Sequence, residues 1–232
     1  MDIRILQLIK GAREARGLTV VIDVFRAFSL ACYAFDLGAE KIIPVGDLEI
    51  AYEIKKSNPD FILIGERNEK IMPDFNFGNS PTHILNQDFN GKTIIHTTSA
   101  GTQGIINAVN SSEILTGSFV NAKSIVNYIK LNNPGIVSLV CMGYSAKYPT
   151  DEDTYCAEYI RNELEGKTTD FEGMVRRLKL GSGSRFFEPD KQNYSPATDF
   201  GLCTDLNRFD FIIKSFKEDD LIILKKIVPT TI

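Results

Sequence analysis

The chain has no excess of positive charge. Its 232 residues carry 26 Lys and Arg against 30 Asp and Glu, a formal charge of −4. General nucleic-acid binding needs a basic excess, so no nucleic-acid partner is expected. A local basic cluster can still hold a small anion against the global sign. No apolar run approaches the roughly 20 residues of a membrane span, so no membrane partner is expected. The opening stretch MDIRILQLIKGAREARG is too short in its apolar part and too charged for a signal peptide. Glycine (17) and proline (9) are too few to indicate disorder.

Cysteine is scarce and scattered. Cys32, Cys141, Cys156 and Cys203 form no CxxC pair, and most of them sit in apolar runs, where cysteine acts as a small hydrophobe. A cytoplasmic, reducing location follows. Only two histidines, His83 and His96, are present, too few and too separated for a zinc site. His96, inside an apolar strand, reads as a hydrogen-bonded core residue. There is no GxxxxGK[ST] loop, which sets aside an ATPase. Lys147, not arginine, follows Cys141 by six residues, so no CxxxxxR phosphatase loop exists. Asp23-Val24-Phe25 lacks the second aspartate of the haloacid-dehalogenase phosphatases.

What is present is an alternation of strands and helices. Short β-branched or apolar runs occur at Thr19–Asp23, Lys41–Val45, Phe61–Gly65, Thr93–Thr97, Glu113–Gly117 and Ile136–Cys141. They are nearly continuous in apolar residues, as strands covered on both faces are. Helical stretches lie between them at Arg26–Leu37, Asp47–Ser57, Gly101–Val109 and Asn121–Leu131, with Asp47 as a cap. Two further helices are expected at Asp151–Glu163 and Thr169–Lys179, then a loop over 181–208. Late strands at Phe209–Ile213 and Leu221–Ile227 are placed at a sheet edge, where exposed strands offer a surface for homo-oligomer pairing. Asn58-Pro59 before the third strand recurs as Asn133-Pro134 before the sixth. The pattern reads as two similar βαβαβ halves (about 19–66 and 93–142) and a C-terminal extension (151–232). The expected fold is α/β, a three-layer α/β/α protein with a mostly parallel sheet in one domain.

In an open parallel sheet, ligands bind beyond the carboxyl ends of the strands. Those ends carry Asp23 and Arg26, Glu66-Arg67, Thr97-Thr98-Ser99-Ala100-Gly101-Thr102, Ser118 with Asn121, and Glu152-Asp153 at a helix start. Carboxylates suit Mg²⁺, which takes one or two of them plus water and substrate phosphate. Arginine presents a planar fork to phosphate or carboxylate. Such a set suits a small anionic phosphorylated substrate and the charge that develops on a transferring phosphoryl group. Each element also has a plain structural reading. Asp23 is as well placed to cap a helix, Glu66-Arg67 to form a surface pair, and Glu152-Asp153 to favour a helix dipole.

The motifs VVIDVFRA (Val20–Ala27), GER (Gly65–Arg67), FGNSP (Phe77–Pro81), TTSAGT (Thr97–Thr102), GSFVNA (Gly117–Ala122) and EDTYCA (Glu152–Ala157) stand in this order. The order resembles that of the 2-phosphosulfolactate phosphatase family, with a weaker match around SGSRFF (Ser182–Phe187). The resemblance implies a Mg²⁺-dependent phosphomonoesterase that converts 2-phospho-3-sulfolactate to 3-sulfolactate, a step of coenzyme M synthesis. It implies metal-holding roles for Asp23, Glu66 and Asp153, with Glu152 close by, and phosphate and second-anion binding by Arg26 and Arg67. Asn79, Ser80, Thr97, Thr98, Gly101, Thr102, Ser118 and Asn121 complete the anion site in this reading. Either a metal-activated water or Asp23 itself is the nucleophile. The chain departs from the family at Asn76, where relatives usually carry aspartate. A metal-binding aspartate there would be lost, whereas a turn-shaping one is replaced at little cost. Two further readings stand beside this one: a phosphatase for another phosphorylated hydroxy acid, and a non-catalytic binder of organic anions.

Overall fold

The computed structural model describes residues 1–228; residues 229–232, the end of the expected extension, lie outside the described residues. The strands are β1 (Asp2–Gln7), β2 (Gly17–Ile22), β3 (Lys41–Pro44), β4 (Ile62–Arg67), β5 (Lys70–Ile71), β6 (Thr93–Thr97), β7 (Ser111–Gly117), β8 (Ile136–Cys141), β9 (Ile212–Glu218) and β10 (Leu221–Ile227). The helices are α1 (Leu8–Glu14), α2 (Ala27–Asp36), α3 (Leu48–Ser57), α4 (Pro81–Ile84), α5 (Gly101–Asn107), α6 (Ala122–Asn132), α7 (Asp151–Glu165), α8 (Phe171–Leu180) and α9 (Ala197–Cys203). The expected elements between Thr19 and Lys179 are found, with ends shifted by one or two residues.

The strand order is β1-β8-β2-β7-β9-β10-β3-β6-β4-β5. Exchanging β2, β3 and β4 with β6, β7 and β8 reverses the order of those six strands, so it reads the same from the opposite edge. The first strand of each triplet therefore lies between the other two strands of the opposite triplet. Pairing is parallel within β1-β8-β2-β7 and within β3-β6-β4. Between the two groups stand three antiparallel steps, β7–β9, β9–β10 and β10–β3. An odd number of reversals makes the two parallel groups run in opposite senses.

This corrects two expectations. The late strands are not at an edge but stand in the middle of the sheet order. The first of them starts at Ile212, not Phe209. The expected single edge of strand ends is likewise replaced by two groups of opposite direction. The amino-terminal strand and helix, β1 and α1, add an element that periodicity did not announce.

The result is a three-layer α/β/α protein. Helix α2 (AFSLACYAFD) is apolar around its whole circumference and is buried over Ala27–Phe35, as expected of a helix with no solvent face. It packs with Val21 and Val140 of one strand group and Ile42, Ile64 and Ile94 of the other in one core. Burying Phe28 and Phe35 stabilises the fold by roughly 2–3 kcal/mol each. Ile125 of α6, Ile160 of α7 and Leu178 of α8 cover the opposite face of the first group. Ala51 of α3 covers the second with Ile43, Leu63 and Ile95. Asp47 caps α3 as expected, accepting from the Glu49 amide at 2.7 Å.

Candidate active site

Because both strand groups pack on α2, the turn after β2 meets the turn after β6. A Cβ built at Gly101 would lie 2.8 Å from Asp23 Oδ2 and 2.9 Å from Ala27 Cβ. A cleft opens at this meeting point. It is lined by Asp23, Phe25 and Arg26 after β2, Thr98–Ala100 after β6, Glu66 and Glu69 at the end of β4, and Gly143–Ser145 after β8. Asn79 and Arg185 complete it. These four strand ends form two exchange-related pairs. The ends of β3 and β7, which flank the central hairpin, do not reach it.

Asp23 is buried, and its Oδ1 accepts from the Ala27 amide at 3.1 Å. Burial, and then the charges of Glu66 and Glu152, push its carboxyl up to about 7. The amides of Ala27 and Gly101 oppose that rise. Glu66 lies across the cleft. Its Oε1 accepts from the Ser99 amide at 2.8 Å, and its Oε2 accepts from the Glu69 amide at 2.8 Å and from Ser99 Oγ at 3.3 Å.

Glu152 and Asp153 sit behind Asp23 at the start of α7 and do not line the cleft. Asp153 accepts from the Val24 amide at 2.8 Å and the Gly143 amide at 2.7 Å, tying the turn after β2 to the turn after β8. Gly143 has φ +64, and a Cβ there would lie 2.2 Å from Tyr148 O, so the turn requires glycine. Burial, then Glu152 and Asp23, hold the Asp153 carboxyl well above the usual range. Glu152 Oε2 is buried with no hydrogen-bond partner.

The arginines divide differently from the sequence expectation. Arg26 lines the cleft, and its Nη1 donates to Asp199 Oδ2 at 2.6 Å and to Tyr194 O at 2.7 Å. Arg67 does not line it. Its guanidinium donates to Glu66 O, Gly46 O and Thr97 Oγ1, stapling β4 to its neighbours. Arg67 and Thr97, both expected at the anion site, are thus engaged with each other outside the cleft lining.

Several other expected anion ligands are internal braces. Ser80 Oγ donates to Asp199 Oδ1. Thr98 and Thr102 bond each other across the first turn of α5, although Thr98 still borders the cleft. Ser118 and Asn121 form a reciprocal capping box after β7, and Ser118 Oγ lies 2.6 Å from Ser29 Oγ. They lie away from the cleft for the topological reason given above. Asn79 lines the cleft and accepts from His96 Nε2 at 3.3 Å. His96 is fully buried, as expected of a core residue. Asn76 Oδ1 accepts from the Leu63 amide at 2.9 Å, outside the cleft. That is an acceptor's task in a turn, which Asn and Asp both perform.

Three residues escaped sequence reasoning. Asp199, in a segment expected to be loop, is fully buried and gathers Arg26, Ser80 and Thr82. Arg185 and Glu69 face each other in the cleft, with Arg185 Nε 3.3 Å from Glu69 Oε1. The SGSRFF match was the one signal for Arg185.

Among the described residues, no three His, Cys, Asp or Glu side chains form a ready-made metal cage. The expected four-carboxylate set is therefore reduced to two carboxylates in the cleft, Asp23 and Glu66, with Glu152 and Asp153 behind. Mg²⁺ uses one or two carboxylates with water and substrate. Asp23 and Glu66, both buried and mutually repelling, fit a cation of that kind.

Compared with known families, residues 3–181 match the one described as 2-phosphosulpholactate phosphatase. A Bacillus subtilis protein named probable 2-phosphosulfolactate phosphatase is 29% identical over 232 residues, covering 98% of this chain and 100% of its own. A Thermotoga maritima protein of the same name is 39% identical over 173 residues, 73% of this chain and 69% of its own. One from Caldanaerobacter subterraneus is 36% identical over 155 residues, 66% of this chain and 63% of its own.

Proposed function

The chain belongs to the 2-phosphosulfolactate phosphatase family, and from that premise we propose that it is a Mg²⁺-dependent phosphoric monoester hydrolase. Its substrate in this reading is 2-phospho-3-sulfolactate, cleaved to 3-sulfolactate and phosphate, the reaction type of coenzyme M synthesis. The observation that carries the reading is the cleft itself: Asp23 and Glu66 face each other there beside Arg26 and Arg185. The four cysteines are free and buried, which agrees with work in a reducing cytoplasm.

Asp23 and Glu66 would hold Mg²⁺, which when bound supplies positive charge against the phosphate oxygens. The chain's own residues do the rest. The Ala27 amide fixes Asp23 Oδ1, and the turn at Gly101 leaves no room for a side chain against Oδ2. The Ser99 and Glu69 amides fix Glu66. Arg26, anchored through Nη1 alone, turns the remainder of its fork to the transferring phosphoryl group. Asp153 braces the Asp23 turn from behind.

Phosphate release from 2-phospho-3-sulfolactate, measured with Mg²⁺ and with EDTA, tests the reading. Turnover that EDTA and Asp23→Asn each abolish supports it. Tight binding of the ester without release of phosphate would overturn it.

A further inference from the structure

Arg185 differs from the other arginines at the site. Arg26 is held by the fully buried Asp199, and Arg67 is spent on backbone and Thr97. Arg185 is held more lightly. Its Nη2 donates to Phe25 O at 3.1 Å, and its guanidinium lies 5.5 Å from the Tyr144 ring centre. Its one charged partner is Glu69, at 3.3 Å. Glu69 sits in the turn between β4 and β5 at φ +66, unusual for glutamate. Its amide is held by Glu66 Oε2, so the turn aims the Glu69 carboxylate into the cleft.

Both side chains of this pair line the same cleft as Asp23 and Arg26. A protein carboxylate thus lies against a guanidinium where a small anionic substrate must enter. A phosphate held at Arg26, beside the cation that Asp23 and Glu66 would carry, leaves the rest of a phosphorylated hydroxy acid in the cleft that Arg185 also lines. We propose that Arg185 binds the substrate's second anionic group, a carboxylate or sulfonate, and that Glu69 is an internal stand-in for that group which the substrate displaces. The inference rests on the phosphatase reading of the cleft and names what makes it selective. Esters with a second negative charge are favoured because only they replace the Glu69 carboxylate on the fork. Esters without a second anionic group leave the closed pair intact and gain nothing from Arg185.

Three esters test this: 2-phospho-3-sulfolactate, 2-phospholactate and phenyl phosphate, which has no second anion. Arg185→Gln is expected to raise KM for the first two about 100-fold, and to lower kcat/KM for phenyl phosphate by a tenth of that factor or less. Arg185→Lys keeps the charge without the fork and is expected to fall between; it carries the test if Arg185→Gln does not fold. Glu69→Gln is expected to lower KM for the two acid-bearing esters several-fold. Equal losses on all three esters would overturn the assignment, because Arg185 would then serve the phosphate or the scaffold. Calorimetry with 3-sulfolactate gives the same comparison without turnover. Affinity about 100-fold weaker in Arg185→Gln supports the proposal, and unchanged affinity sinks it. Failure of the wild type to hydrolyse any ester counts against the phosphatase reading alone.

Discussion

Arg26 Nη1 lies 2.6 Å from Asp199 Oδ2, and both side chains are closed to solvent. The pair joins the turn after β2 to a helix some 170 residues further along the chain, α9. Removing one partner of such a pair strands a buried charge, at a cost of about 3–5 kcal/mol. Asp199→Asn is therefore expected to lower the unfolding free energy, measured by urea denaturation, by an amount in that range and to reduce kcat through a displaced Arg26. The double variant Arg26→Gln, Asp199→Asn should recover part of the stability and none of the activity. If the two single losses add in the double variant, the pair is not coupled as described.

Local pattern made the sheet and its helices legible, because each strand between Thr19 and Cys141 is a short apolar run bounded by turn residues. Topology was not legible. Whether Phe209–Ile213 and Leu221–Ile227 lie at an edge or in the middle depends on which strands they pair with, and alternation says nothing of that. The same gap explains the site. Strand ends and motif order mark Asp23, Arg26, Glu66 and Asn79, and these four line one cleft. Ser118 and Asn121 were over-read because a strand end says nothing of its place in the sheet order. Asp199 was missed because nothing in a loop rich in Gly, Ser, Pro and Asp distinguishes one buried aspartate from its exposed neighbours.

Gly101 gives a sharp steric test. A methyl there would approach Asp23 Oδ2 to 2.8 Å, Ala27 Cβ to 2.9 Å and Phe28 Cζ to 3.2 Å. The carboxylate or the start of α2 must move. Gly101→Ala is expected to cost about 1–3 kcal/mol of stability by overpacking and at least 100-fold in kcat/KM, since small displacements of a positioned group are expensive. Normal turnover with a normal melting temperature would show that the α5 turn does not abut the reacting centre.

Cation binding has a readout that needs no substrate. A ligand at 100 times its Kd stabilises a protein by about 2.7 kcal/mol, roughly 5–10 °C for a chain of this size. Saturating Mg²⁺ should raise the melting temperature of the wild type by that order. It should do so less, or not at all, in Asp23→Asn and Glu66→Gln, while Asp153→Asn, which loses a backbone brace, should melt lower with and without the ion. An undiminished shift in both Asp23→Asn and Glu66→Gln would place the ion elsewhere.

His96 sets an acid limit on stability. The ring is fully buried, its Nε2 meets Asn79 Oδ1 at 3.3 Å, and its Nδ1 has no partner. Burial, and then the charge of Arg67, lower its pKa from 6.5 to about 4. Unfolded chains take up a proton on this histidine below about pH 6.5, while the folded chain stays neutral until about pH 4. Between those values the unfolded state binds more protons, so stability falls as pH falls. At pH 5 the loss from this one group is about 2 kcal/mol. Asp23 and Asp153 act in the opposite sense, because raised carboxyl pKa values remove stability as pH rises. His96→Gln retains a donor for Asn79 and cannot titrate, and the carboxylate contributions cancel when it is compared with the wild type. The stability difference between pH 7.5 and pH 5, from urea unfolding, should therefore shift by about 2 kcal/mol in favour of pH 5 in the variant. Identical pH dependence in the two proteins would mean that His96 titrates alike in the folded and unfolded chains, so that the ring is not closed off from protons as its burial against Asn79 requires.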